Sequence, residues 1–135
     1  MSEKDVALAR KAMDLWIAGE RDAAWDLWSE DCVGYPPADW PEPGPFHGRS
    51  ALRDIFNTWN VAFGEDWTSH MTVEEMTDLG EGRVLLEMGF AASGVESGLP
   101  VDQELAQIFT VSDGQLVRAD YFMSHEDARK AAGLE

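Results

Sequence analysis

Apolar positions recur at spacings of three and four through residues 3–18, where Val6, Ala9, Met13, Trp16 and Ile17 fall on one stripe. Ser2 precedes the run as a candidate N-cap and Gly19 follows it, so the spacing predicts an amphipathic helix. A shorter helical segment carries Ala23, Ala24, Leu27 and Trp28 and stops near Asp31. Segment 32–47, CVGYPPADWPEPGPFH, holds five of the six prolines. Proline removes a backbone donor, so the segment predicts a stiff loop after a short strand, Cys32–Tyr35. From Gly48, GRSALRDIFNTWNVAF places Leu52, Ile55, Phe56, Trp59 and Phe63 on one face of a third helix.

Beyond Gly64 the period falls to about 2, with turn signals at LGEGR (79–83), ESGLP (96–100) and SDGQ (112–115). Four antiparallel strands are expected at about 67–78, 83–95, 101–112 and 115–123. Long strands curve where they bulge, and a curved sheet wrapped around three helices makes a cone with a cavity inside. The fold class is therefore α+β, one domain over residues 1–135. Ser124 and Asp127 open a short terminal helix with capping-box spacing, Asp replacing the usual Glu.

Charge narrows the function. Ten Lys and Arg against 26 Asp and Glu give a formal −16, which repels phosphate backbones and anionic lipid; no nucleic-acid or membrane partner is expected. No apolar run is long enough to span a bilayer, and the residues after Met1 lack the pattern of a secretory signal. The lone Cys32 cannot form an internal disulfide, so a cytoplasmic location is the expectation. Six tryptophans and six phenylalanines supply more aromatic surface than a disordered acidic chain carries.

The order of elements, with PFHGRSALRDIFNTW, the SG of VESGLPVD and the stretch QELAQIFTVSDGQLVRADYF ending in EDARKAAGL, resembles the SnoaL-like and ketosteroid-isomerase-like domains. These belong to the nuclear transport factor two-like superfamily. The resemblance covers nearly the whole chain and implies a cystatin-like cone, a homodimer formed through the outer sheet face, and a hydrophobic small-molecule ligand. It leaves the chemistry open, because the superfamily hosts hydrolases, isomerases, cyclases and silent binding domains. Carried across residue by residue, the isomerase's hydrogen-bonding tyrosine falls near Ala12, which has no hydroxyl. Its general base falls near Tyr35 or Pro36 if Asp31 directly follows the second helix, or at Asp31 in a rival register. Its hydrogen-bond-donating acid falls near Gln107.

If Asp113 and Gly114 form a tight turn, Ser112 faces Gln115, and the ladder pairs Phe109 with Arg118, Gln107 with Asp120 and Leu105 with Phe122. Gln107, Arg118 and Asp120 would then share the concave face with Phe109 and Phe122. Burial raises a carboxyl pKa and an adjacent Arg lowers it, which is the tuning a general base needs. Asp120 is the candidate base, oriented by Gln107 and Arg118. The alternative is a structural Arg–Asp pair on the sheet surface or in a dimer interface.

His47, before the third helix, could carry a proton or be an exposed capping neighbour. His70 reads as part of a solvated strand face, and His125 as exposed. No CxxC, HxxxH, P-loop or GxGxxG occurs, so no metal and no dissociable cofactor are implied. Cys32 reads as a small core residue. Trp16, Trp28, Phe56 and Trp59 have the spacing of core residues, with Phe56 and Trp59 also candidate ligand contacts. Tyr35, Trp40 and Phe46 lie in the irregular loop, where they could shield a ligand from water; Trp40 could instead cap the core or a dimer surface. Two readings result: a cofactor-independent isomerase, cyclase or epoxide hydrolase on a hydrophobic small molecule, or a ligand-binding or dimerisation module without turnover.

Overall fold

The computed structural model describes residues 2–37, 40, 44–94 and 97–134. Parts of two expectations, 38–39 and 41–43 of the proline-rich loop and 95–96 at the second hairpin turn, lie outside the described residues. Helix α1 spans Ser2–Ile17 and buries Ala9, Ala12 and Met13. Gly19, at φ +86°, reverses the chain into α2, Arg21–Trp25.

Strand β1 begins at Trp28 and runs to Tyr35, four residues earlier than the sequence suggests. The Leu27 carbonyl accepts the Leu116 N–H at 2.9 Å and Trp28 pairs with Leu116, so the sheet rather than α2 takes these residues. Asp31 thus stands exposed in mid-strand and does not directly follow the helix. The end of the proline-rich segment is also sheet: β2, Phe46–His47, pairs antiparallel with Val33 and Gly34.

The third predicted helix is two pieces, α3 (Arg49–Asn57) and α4 (Trp59–Phe63). Between them the Thr58 hydroxyl donates to the Ile55 carbonyl at 2.6 Å, competing with the backbone bond that would carry the helix through. A 3-10 turn, Trp67–His70, replaces the start of the first long strand. Trp67 and Thr68 are both buried; adjacent residues of a strand would point to opposite faces. Strands β3 (Met71–Gly80), β4 (Arg83–Ser93), β5 (Pro100–Ser112) and β6 (Gln115–Phe122) follow. The six-stranded curved sheet has the order β2-β1-β6-β5-β4-β3 and is antiparallel except where β1 runs parallel to β6. Helix α5, His125–Ala132, is capped as its sequence predicts, the Ser124 hydroxyl accepting the Asp127 N–H at 3.1 Å.

The fold has two apolar layers. Helices α1–α4 and the concave sheet face enclose the main core, while α5 covers Leu85, Ala106 and Ile108 on the opposite face. Asp113 and Gly114 make the expected turn, with φ of +52° and +76°, and Ser112 pairs with Gln115. One step on, the ladder shifts: Val111 pairs with Leu116, but Thr110 pairs with Arg118, leaving Val117 as a bulge. Phe109 therefore faces Ala119, Gln107 faces Tyr121 and Ala106 faces Phe122, instead of the pairs an unbulged ladder gives. The cause is apolar parity. Leu116, Ala119 and Tyr121 are all buried in the main core, and an odd insertion is needed to turn all three inward. The same insertion turns Arg118 and Asp120 to the outer face.

Candidate functional site: a tryptophan-walled cavity

Between the helices and the concave face lies a partly open cavity of about 60 Å³. All six tryptophans of the chain wall it: Trp16 from α1, Trp25 from α2, Trp28 from β1, Trp40, Trp59 from α4, and Trp67 from the 3-10 turn. Phe56, Phe109 and Tyr121 complete the aromatic lining. The rings lock one another. Trp16 meets Trp25 and Trp67 edge-on, each at 5.6 Å, and Trp40 stacks on Tyr121 at 5.6 Å and 18°. The indole N–H of Trp67 donates to Asn60 Oδ1 at 2.9 Å and that of Trp40 to Met123 Sδ at 3.3 Å.

Among the described residues, two polar side chains reach the lining. The Gln107 amide donates to Met88 Sδ at 3.4 Å, a weak acceptor. Tyr121 is buried, and burial pushes its pKa far above the usual tyrosine value, with Cys32 and Asp120 adding to the rise. Its hydroxyl stays protonated at any physiological pH. Burial likewise raises the Cys32 thiol, which is fully enclosed in the core.

The residues singled out from sequence divide. Trp40, Phe56, Trp59, Gln107 and Phe109 line the cavity; Phe122 also borders it, but its pairing with Ala106 puts it in the outer layer and not on the concave face expected. Phe46 is buried in the main core away from it, and His47 is exposed on β2. Arg118, Asp120 and Tyr35 gather on the outer face instead, which corrects the expected grouping of Gln107 with Arg118 and Asp120. The Arg118 guanidinium donates to both Asp120 oxygens at 2.7 and 3.0 Å and lies 4.2 Å from the Tyr35 ring centre. The Asp120 hydrogen bond raises the Arg118 pKa, and Arg118 is half exposed. Asp120 and Tyr35 border a separate open cleft of about 520 Å³ with Met123 and Asp127.

Sequence reasoning missed Trp25, Trp67 and Tyr121 as cavity residues and left Trp16 and Trp28 as core filler. Tyr121 was hidden by the bulge and Trp67 by the 3-10 turn. The readable signal was parity: Leu116, Ala119 and Tyr121 cannot all face inward on a regular strand. A further polar cluster lies beneath α5, where buried Glu87 accepts two bonds from Arg129 at 2.8 and 2.7 Å. Those bonds lower the Glu87 pKa against the opposing pull of burial. His125 Nδ1 stands 3.8 Å from the same carboxylate. Among the described residues no three His, Cys, Asp or Glu side chains come together as a metal site, and no helix is long and apolar enough to cross a membrane.

The profile of the SnoaL-like domain family matches residues 9–119. The chain belongs to the SnoaL-like domain family. No curated protein sequence matches it. Its fold is shared with a SnoaL-like protein of Jannaschia sp. CCS1, at TM-score 0.77 and 14% identity, covering 100% of this chain and 95% of that one. Bal32a, from a soil-derived mobile gene cassette, superimposes at TM-score 0.76 with 16% identity over 94% of each chain. AclR of Streptomyces galilaeus gives 0.74 and 18% over 98% of each. The SnoaL-like family includes polyketide cyclases and isomerases; at these identities the likeness shows the fold alone.

Proposed function

We propose that this SnoaL-like domain binds a small, largely apolar molecule in the tryptophan-walled cavity and does not turn it over by acid–base chemistry. The observation that carries this is the chemistry of the lining among the described residues: indole, phenyl and aliphatic surface, one amide that does not titrate, and one phenol held protonated. A general base must lie within hydrogen-bond reach of the proton it takes. The enzyme reading assigns that role to Asp120, with Gln107 and Arg118 as orienting groups, but Gln107 stands on the concave face and the ion pair on the convex one. Size favours a compact occupant. An engineered apolar cavity of about 150 Å³ holds benzene, so the smaller space here suits a molecule of few heavy atoms rather than a polycyclic one.

The test is titration with short alkyl compounds, read by tryptophan emission, since every indole borders the cavity. Saturable changes are expected, and Gln107→Leu should retain them. Linear, unsaturable responses to all of them would overturn the binding reading. Turnover of a small epoxide or enone that Asp120→Asn abolishes would restore the enzyme reading.

A further inference from the structure

We propose that the cavity's ligand is a small, fully alkylated ammonium cation, an inference that rests on the cavity being the binding site. Three observations converge. The walls are crossed: Trp16 meets Trp25 at 87° and Trp67 at 81°, and Trp40 meets Phe56 at 84°. A flat ligand needs two parallel walls with a gap between them. The near-parallel pairs, Trp40 with Tyr121 and Phe56 with Trp67, already stack on each other at 5.6 and 6.2 Å, leaving no slot. Crossed walls make a box that fits a rounded, tetrahedral group.

The second observation is hydrogen-bonding capacity. A primary ammonium carries three N–H donors and would leave them unmet here, where the described residues of the lining offer little beyond the Gln107 carbonyl and the Tyr121 oxygen. A sugar would need more partners still. A nitrogen with no N–H needs none, and such cations are the ones aromatic cages recognise through the negative faces of their rings. The third is charge. A net −16 draws cations toward the protein and repels anions. Two of these indoles already hold a cation: the Arg21 guanidinium lies 5.9 Å from the Trp16 ring centre and 5.5 Å from that of Trp67, anchored by Asn60 at 2.8 Å. Arg21 itself does not border the cavity.

Calorimetric titration of the full chain with tetramethylammonium chloride tests this, against sodium chloride at matched ionic strength and against tert-butanol, a neutral molecule of the same shape. Tetramethylammonium should bind about tenfold or more tightly than tert-butanol. Replacing all tryptophans with monofluorinated and then difluorinated analogues should weaken the cation stepwise and leave tert-butanol unchanged, because fluorine drains negative charge from the ring face. In unlabelled protein the methyl proton resonance of the bound cation should move upfield under the ring currents. Equal binding of the two ligands, an unshifted resonance, or indifference to fluorination would overturn the cation and leave the apolar cavity standing. No saturable heat from either ligand would overturn both.

Discussion

His125 Nε2 lies 2.7 Å from the carbonyl oxygen of Met88, and because a carbonyl only accepts, that nitrogen carries the proton. The sulfur of the same Met88 accepts from Gln107 in the cavity lining. A single residue of β4 thus ties the outer helix to the inner wall. His125→Ala removes the donor and leaves a part-buried carbonyl without it. The expected loss is about 1 kcal/mol in urea unfolding, with faster amide exchange along α5 and unchanged exchange in α1. Equal stability would mean water replaces the imidazole.

Glu87 gives the stability a pH dependence of known sign. Its carboxyl is held below its ordinary value, mainly by the Arg129 hydrogen bonds. The unfolded chain therefore takes up this proton first as pH falls. The contribution is fully present above the ordinary carboxylate pKa and is lost as pH drops through the lower folded value. Urea midpoints measured from neutral to acid pH should decline below about pH 4.5. Glu87→Gln should flatten the part of that decline that belongs to this site. Arg129→Leu should cost about 2 kcal/mol at neutral pH by leaving the buried carboxylate without its fork of charged donors.

Gly34 lies where β1 packs tightly against Leu52 and Tyr121. A Cβ there would stand 2.5 Å from Leu52 Cδ2 and 3.2 Å from Tyr121 Cε2. Leu52 is fully buried and Tyr121 is stacked under Trp40, so neither can retreat freely. Gly34→Ala should cost about 1–3 kcal/mol through overpacking, read as a lower thermal midpoint. Near-UV circular dichroism should change with it, because the displaced ring carries the Trp40 stack.

Helices α1 and α5, strands β4 to β6, the Asp113-Gly114 turn and the Ser124 cap were legible because each follows a local rule of spacing or backbone geometry. What stayed hidden was set by tertiary contact. Trp28 has helical spacing yet joins the sheet, since the parallel pairing with Leu116 can be made only once β6 is in place. His47 reads as loop because a two-residue strand has no periodicity. The site suffered most. A one-residue slip exchanges the two faces of a strand, so an unbulged ladder put Asp120 in the cavity and left Tyr121 outside it.

Val117 therefore offers a direct test of why the hairpin is built as it is. Without it, Leu116 would be followed by Arg118, and the pairs from Thr110–Arg118 to Ala106–Phe122 could form as an uninterrupted continuation of Val111–Leu116. Leu116 would still face in, Arg118 out, Ala119 in and Asp120 out, because deletion restores regular alternation without changing any other pairing with β5. The deletion should be tolerated at a cost of about 1–2 kcal/mol for the lost side chain and local twist. The six tryptophans should keep their emission spectrum. Val117→Asp keeps the bulge and should cost less still, since Val117 is only half-buried. If deletion instead unfolds the protein while Val117→Asp does not, the bulge is needed for sheet curvature itself. Parity alone would then be an insufficient account of why Arg118 and Asp120 face away from the cavity.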